Sequence, residues 1–126
     1  MQDINIAGTD DTPEIVLDKD NHTLTFTGRS LPEDAVAFYK PIVDWLESYR
    51  GNPFPSRVTF VFKLMYFNTA SSKLFLDFIC QIDEIHGDGH DTKIHWHFKD
   101  GDEDMEEVGE EFEEVLENSS IELIAD

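Results

Sequence analysis

Only one cysteine, Cys80, is present in the 126 residues. No intramolecular disulfide can therefore staple the fold, and the composition fits a reducing compartment. Cys80 lies in the apolar stretch Phe78-Ile79-Cys80 and reads as a small buried hydrophobe. Positive charge is scarce as well: nine Lys and Arg stand against 28 Asp and Glu, a net charge of −19. Such a surface repels nucleic acid and anionic membrane, and it favours solubility and fast association with a basic patch on another protein. A salt-adapted host gives the same composition. The start, Met1-Gln2-Asp3-Ile4-Asn5, lacks the basic and apolar regions of a signal peptide. No apolar run approaches the ~20 residues that cross a bilayer. A soluble, cytoplasmic protein is expected. Neither a Gly-x-Ser-x-Gly elbow nor a Walker loop occurs, so neither an enzyme nor a cofactor is expected.

Hydrophobic residues make up 40%, with ten Phe and two Trp, enough for one compact domain over residues 1–126. The first dozen residues read as an irregular lead-in. Glu14-Ile15-Val16-Leu17 and Thr23-Leu24-Thr25-Phe26-Thr27 flank a polar turn, Asp18 to His22, which signals a hairpin. Ser30-Leu31-Pro32-Glu33 has the form of a capping box with Ser30 at the N-cap. A helix with apolar Ala35, Phe38, Tyr39, Ile42, Val43, Trp45, Leu46 and Tyr49 follows. Pro41 should kink it or divide it in two, and it should end near Arg50-Gly51-Asn52-Pro53.

Arg57 to Phe67 is rich in β-branched and aromatic residues on both alternations, the pattern of a central strand covered on both faces. A second helix is expected from about Ser71 to His86, stopped by Gly87-Asp88-Gly89. Lys93 to Phe98 alternates as a strand. Glu103 to Leu116 is helical, with Met105, Val108, Phe112, Val115 and Leu116 on its apolar face, and Ile121 to Ile124 is a closing strand. The order β-β-α-β-α-β-α-β predicts a single α/β domain, a mixed and mostly parallel sheet with flanking helices.

In open α/β sheets functional groups collect beyond the carboxyl ends of the strands. The central strand feeds directly into Asn68-Thr69-Ala70-Ser71-Ser72. Free N–H groups and the positive end of a helix dipole meet there, a setting suited to a phosphoryl group. Ser and Thr are also ordinary helix caps, so the hydroxyls alone do not decide between the two roles.

The stretch Leu64-Met65-Tyr66-Phe67-Asn68-Thr69-Ala70-Ser71-Ser72-Lys73 resembles the L-Y-L-N-T-S-S core of the SiaC family of bacterial regulatory phosphoproteins. Ile6-Ala7-Gly8-Thr9, Thr12-Pro13, Ile42 to Glu47, Glu84 to Gly89 and Glu110-Glu111-Phe112 match in family order. Ala70 stands where that motif can carry a hydroxyl, and Ser72 where it can carry an aliphatic residue. The family is similar in fold to STAS domains, the anti-sigma-factor antagonists that act by partner switching. The resemblance implies a Thr69 phosphorylated by a dedicated kinase and dephosphorylated by a PP2C-like phosphatase. It also implies that the unphosphorylated form activates a target such as a diguanylate cyclase, with cyclic-di-GMP and biofilm output. On that reading Asn68, Ser71 and Ser72 are local recognition or phosphate-cradling groups, and Tyr66 and Lys73 are partner contacts.

Two other readings compete. His86, His90, His95 and His97, with Asp88 or Asp91, could gather a divalent metal, although their spacing matches no standard zinc motif. The acidic segment Glu103 to Glu117 could bind a basic protein without any phosphorylation, or be a solvated face.

Overall fold

The computed structural model describes residues 3–126; the parts of the lead-in and of the leader reading that fall on Met1 and Gln2 lie outside the described residues. The chain runs β1 (Asn5–Ile6), β2 (Glu14–Asp18), β3 (Thr23–Ser30), α1 (Ala35–Gly51), β4 (Val58–Phe67), α2 (Thr69–Gly87), β5 (Thr92–Phe98), α3 (Glu103–Glu114) and β6 (Ile121–Ala125). One sheet takes the strands in sequence order, β1 to β6. β1, β2 and β3 pair antiparallel, and β3 to β6 pair parallel. The mixed, mostly parallel α/β class expected from the sequence is found. The lead-in is not wholly irregular, because Asn5 and Ile6 pair with Val16 and Ile15 while Ile4 is buried.

Sequential order has a geometric consequence. Each right-handed β-α-β crossover steps the same way, so every helix lands on the same face. That face holds the core, in which Phe26 stacks on Phe62 with ring centroids 4.8 Å apart. Tyr39 from α1 and Phe112 from α3 meet Phe75 and Trp96 at 5.4 Å. Rings of this size bury about 150–250 Å² each and dominate the hydrophobic stabilisation. The opposite alternation, Thr25 and Thr27 on β3, Thr59 and Lys63 on β4, Lys93 and His95 on β5, is half-buried or exposed. β4 is thus covered on one face only, against the sequence expectation. Its apolar residues on both alternations misled because Val61 is shielded by strand neighbours, opposite Thr25 and His95.

A bulge re-aims the end of β4. Gly28 opposes Leu64 and Arg29 opposes Tyr66, so Met65 is the extra residue. Gly28 sits at φ +116°, a conformation that favours glycine. Leu64 and Phe67 face the core, while Met65 (69% exposed) and Tyr66 (53% exposed) both turn outward. The Arg29 guanidinium carbon lies 5.7 Å from the Tyr66 ring centroid.

Two further expectations are corrected. Ser30 is not a helix cap: β3 continues through it, and Asp34 caps α1 by accepting the Ala37 N–H at 3.1 Å. Nor does Pro41 divide α1. Pro41 and Ala37 lie on the exposed side, where the carbonyl deprived of its donor meets water. On α3, Val115 is the C-cap and is 49% exposed, outside the apolar face expected for it.

Candidate functional site

β4 delivers the chain to Asn68, which turns it into α2. The Asn68 side-chain oxygen accepts the Ser71 N–H at 2.9 Å, and its own N–H donates to the Ser30 carbonyl at 3.0 Å. The helix start is therefore both capped and tied to β3. Thr69 is the first residue of α2 and is exposed, as is Ala70. Their N–H groups precede the first intrahelical acceptors, as at any helix start.

The sequence placed three hydroxyls in one cluster; the structure separates them. Ser71 is fully buried, Ser72 is half-buried and Thr69 points outward. The Ser30 hydroxyl donates to Ser71 Oγ at 2.8 Å, and Ser71 Oγ donates to the Ser30 carbonyl at 3.2 Å. Tyr39 OH lies 2.6 Å from Ser30 Oγ. Since the Ser30 proton is directed at Ser71, Tyr39 is the donor in that contact. Burial pushes the Tyr39 phenol well above its ordinary range, against a smaller opposing effect of the Ser30 bond, so it remains a neutral donor. Ser71 thus positions the corner and does not face a partner. Ser30 and Tyr39 escaped the sequence reading, since a capping-box pattern disguised the first and helical periodicity explained the second.

Thr69 borders a shallow depression of about 760 Å³ between the starts of α1 and α2. Lys73, one turn after Thr69, lies on its wall with no ion-pair partner among the described residues. Glu33, Asp34 and Asp77 share the wall. A phosphate on Thr69 would be held by Lys73 and the α2 dipole and opposed by these carboxylates. Val36 (72% exposed) adds an apolar contact on the rim. Tyr66 lies off this depression, beside Met65, in a smaller cleft of about 340 Å³ against α3. The arrangement offers an accessible hydroxyl beside a shallow depression.

The histidines do not converge. His86 Nδ1 is 3.1 Å from Thr92 Oγ1, His95 Nε2 3.1 Å from Glu122 and His97 Nδ1 2.9 Å from Asp126. Among the described residues no group of three or more His, Cys, Asp and Glu side chains could hold a metal ion, so the metal reading falls. The Cys80 thiol is pushed up by burial and then by Asp77, Asp83 and Glu84, which leaves it a poor nucleophile. The outer side of α3 is a run of exposed carboxylates. Among the described residues no helix is long and apolar enough to cross a membrane.

Comparison with known proteins gives a consistent picture. A family model described as SiaC family regulatory phosphoprotein matches residues 6–126. An uncharacterised protein of Pseudomonas aeruginosa strain UCBPP-PA14 is 31% identical over 114 residues, 90% of each chain. Crystalline apo-SiaC from Pseudomonas aeruginosa superimposes with a TM-score of 0.85 at 28% identity, over 100% of this chain and 99% of that one. The match reaches a TM-score of 0.90, at 28% identity over 98% and 100% of the two chains, with a crystal structure of the diguanylate cyclase SiaD in complex with its activator SiaC from the same organism.

Proposed function

Because the chain belongs to the SiaC family of regulatory phosphoproteins, and is a regulator and not an enzyme, we propose that it is a partner switch controlled by reversible phosphorylation of Thr69. A dedicated protein kinase adds the phosphate and a PP2C-like phosphatase removes it. The unphosphorylated form docks on a diguanylate cyclase in the cytoplasm and activates it, with cyclic-di-GMP and biofilm formation as the output.

The observation that carries this reading is the sorting of hydroxyls at the start of α2: Thr69 is exposed, while Ser71 is buried in bonds to Ser30. Only an accessible hydroxyl can enter a kinase or a phosphatase. Phosphorylation replaces a small neutral group by one carrying about −1.5 to −2 charges, on the rim of the depression that Val36 and Lys73 share. A partner packed there loses its fit, and an acidic one is repelled, without rearrangement of the fold. Asn68 and Lys73 act on the phosphate, the first through the helix start and the second as a counter-charge. Ser72 and Tyr66 serve partner recognition at the edges.

The test is phosphopeptide mass spectrometry on protein from its native host, with and without phosphatase treatment. A phosphatase-sensitive gain of about 80 Da on Thr69, together with cyclase binding that survives Thr69→Ala and is lost in Thr69→Asp, supports the switch. Protein that stays unmodified across growth conditions, with Thr69→Asp binding as wild type, reduces Thr69 to a helix-start residue.

A further inference from the structure

No described residue forms a layer over the face of the sheet opposite the helices, and the charge of this face differs from that of the rest of the molecule. The chain carries 28 carboxylates against nine Lys and Arg. Yet among the described residues the outward alternation of β3, β4 and β5 holds no carboxylate: it presents threonines, Val61, Lys63, Lys93 and His95. The carboxylates stand at the margins, Glu14 and Asp18 on β2 opposite Thr27 and Thr23, and Glu122 on β6 against His95 at 3.1 Å.

Most of the cations sort in the same way. Elsewhere Lys19, Lys40, Arg50 and Arg57 are held in ion pairs, with Asp3, Asp44, Glu84 and Asp88, and Asp91, and of the helix cations Lys73, beside Thr69, has no such partner among the described residues. Lys63 and Lys93 are exposed and have no ion-pair partner among the described residues. Arg29 lies on the Tyr66 ring instead of on a carboxylate. At the C-terminal rim of this face a cleft of about 240 Å³, bounded by Lys63, Met65, His97 and Lys99, also reaches Asp102 and Asp126. Those two carboxylates are engaged, Asp102 by the Met105 N–H and Asp126 by His97. An exposed Met beside a small cleft is an adaptable apolar contact.

From this segregation of charge we infer that the bare face of β3, β4 and β5 is a second docking surface, for an acidic amphipathic segment of a partner protein. Its carboxylates pair with Lys63, Lys93 and Arg29, and an apolar side chain seats against Met65 in the cleft. The net charge of −19 repels acidic molecules in general, so only a segment whose carboxylates match these cations gains more than it loses; the field of the whole molecule supplies selectivity. Nucleic acid, with a charge on every phosphate, is rejected by that field. The surface lies on the side of the sheet away from Thr69 and its helices, and the inference does not depend on phosphorylation.

The experiment is a titration of isotope-labelled protein, followed by amide chemical shifts, with three helical peptides sharing a leucine face. Their polar faces carry glutamate, glutamine or lysine. The glutamate peptide is expected to shift amides of β3 to β5, including Lys63, Met65 and Lys93. Its affinity should fall at least about tenfold in Lys63→Glu/Lys93→Glu, weaken with added salt, and be unchanged in Lys40→Glu. The lysine peptide is expected to shift α3 instead. Equal binding of the glutamine peptide to this face, or glutamate-peptide shifts confined to the helices, overturns the inference. So does a self-associated protein in sedimentation that Lys63→Glu/Lys93→Glu converts to monomer, since the face would then be covered by a second copy. Circular dichroism of the double variant guards against misfolding. Titration of Thr69→Ala and Thr69→Asp separates the two readings: peptide binding indifferent to both leaves this surface standing even if Thr69 proves never to be phosphorylated.

Discussion

The hydroxyls of Ser30 on β3 and Ser71 on α2 meet at 2.8 Å with both side chains fully buried. The contact joins the strand before α1 to the helix after β4, and Tyr39 completes it from α1. The corner that presents Thr69 is therefore held from beneath by three elements. Ser71→Ala should cost about 1–2 kcal/mol in urea denaturation, because a buried Ser30 hydroxyl loses its acceptor. Phosphate incorporation at Thr69 should persist in that variant. Ser71→Asp should fail to fold, since it places a carboxylate where no cation is available. Phosphate incorporation lost in Ser71→Ala but retained in Thr69→Ala would reverse the assignment.

Removing the Asn68 cap with Asn68→Ala should cost about 1 kcal/mol. Hydrogen exchange should quicken in the first turn of α2 and leave the end of α2 unchanged. A uniform change along the helix would mean that Asn68 acts through the strand, by way of its N–H bond to Ser30.

The charges around Thr69 predict opposite effects on a phosphothreonine there. Lys73→Gln removes the counter-charge and should raise the second phosphate pKa, ordinarily about 6, in a phosphorus NMR titration. Glu33→Gln removes a like charge and should lower it. Both follow from the shared depression, and identical curves for the two variants would place the phosphate away from that wall.

Asp83 gives the fold an acid limit. It accepts the N–H groups of Glu117, Asn118 and Ser119 and the Ser119 hydroxyl. Burial raises its carboxyl pKa, but these hydrogen bonds outweigh burial and hold it below the usual carboxylate range. A depressed folded pKa stabilises the native state above the unfolded value of about 3.9 and loses that effect as pH falls through the folded value. Urea midpoints should therefore drop below about pH 4, and Asp83→Asn should flatten that drop while costing about 1–3 kcal/mol at neutral pH.

Gly109 lets α3 lie against the sheet. A Cβ there would come within 2.6 Å of both Trp96 Cδ1 and Leu123 Cδ2. Helix propensity favours Gly109→Ala by about 1 kcal/mol, but overpacking costs about 1–3 kcal/mol. The net expectation in thermal melts is destabilisation, with perturbed Trp96 fluorescence.

Apart from the short β1, element types and their order were legible because periodicity reports them directly, as in the stripe Tyr39, Ile42, Leu46 and Tyr49 of α1. The placement of Thr69 at a strand-to-helix junction was legible because the β-branched and aromatic run of β4 stops at Asn68 and a helical stripe follows it. What the sequence hid were relations between distant segments. Ser30 read as a cap because Ser-x-x-Glu is a local pattern, while its actual partner is Ser71. Tyr66 was singled out by resemblance alone, because its outward turn depends on a bulge created with Gly28 on another strand. The bare face was invisible because Val61, buried by its strand neighbours, carries the same hydrophobic signature as a residue buried under a helix.

Strand order that repeats sequence order also bears on how the chain comes to be folded. In a sheet whose strands shuffle, a parallel pairing must wait for chain emerging much later. Here the β2–β3 hairpin can form first, and every later strand docks on the one immediately before it. Each closure spans a single helix and its turns, so the entropy lost per step stays near the minimum for parallel pairing. During synthesis on the ribosome, the growing sheet always offers a ready edge to the next segment, and no strand is left exposed waiting for a distant partner.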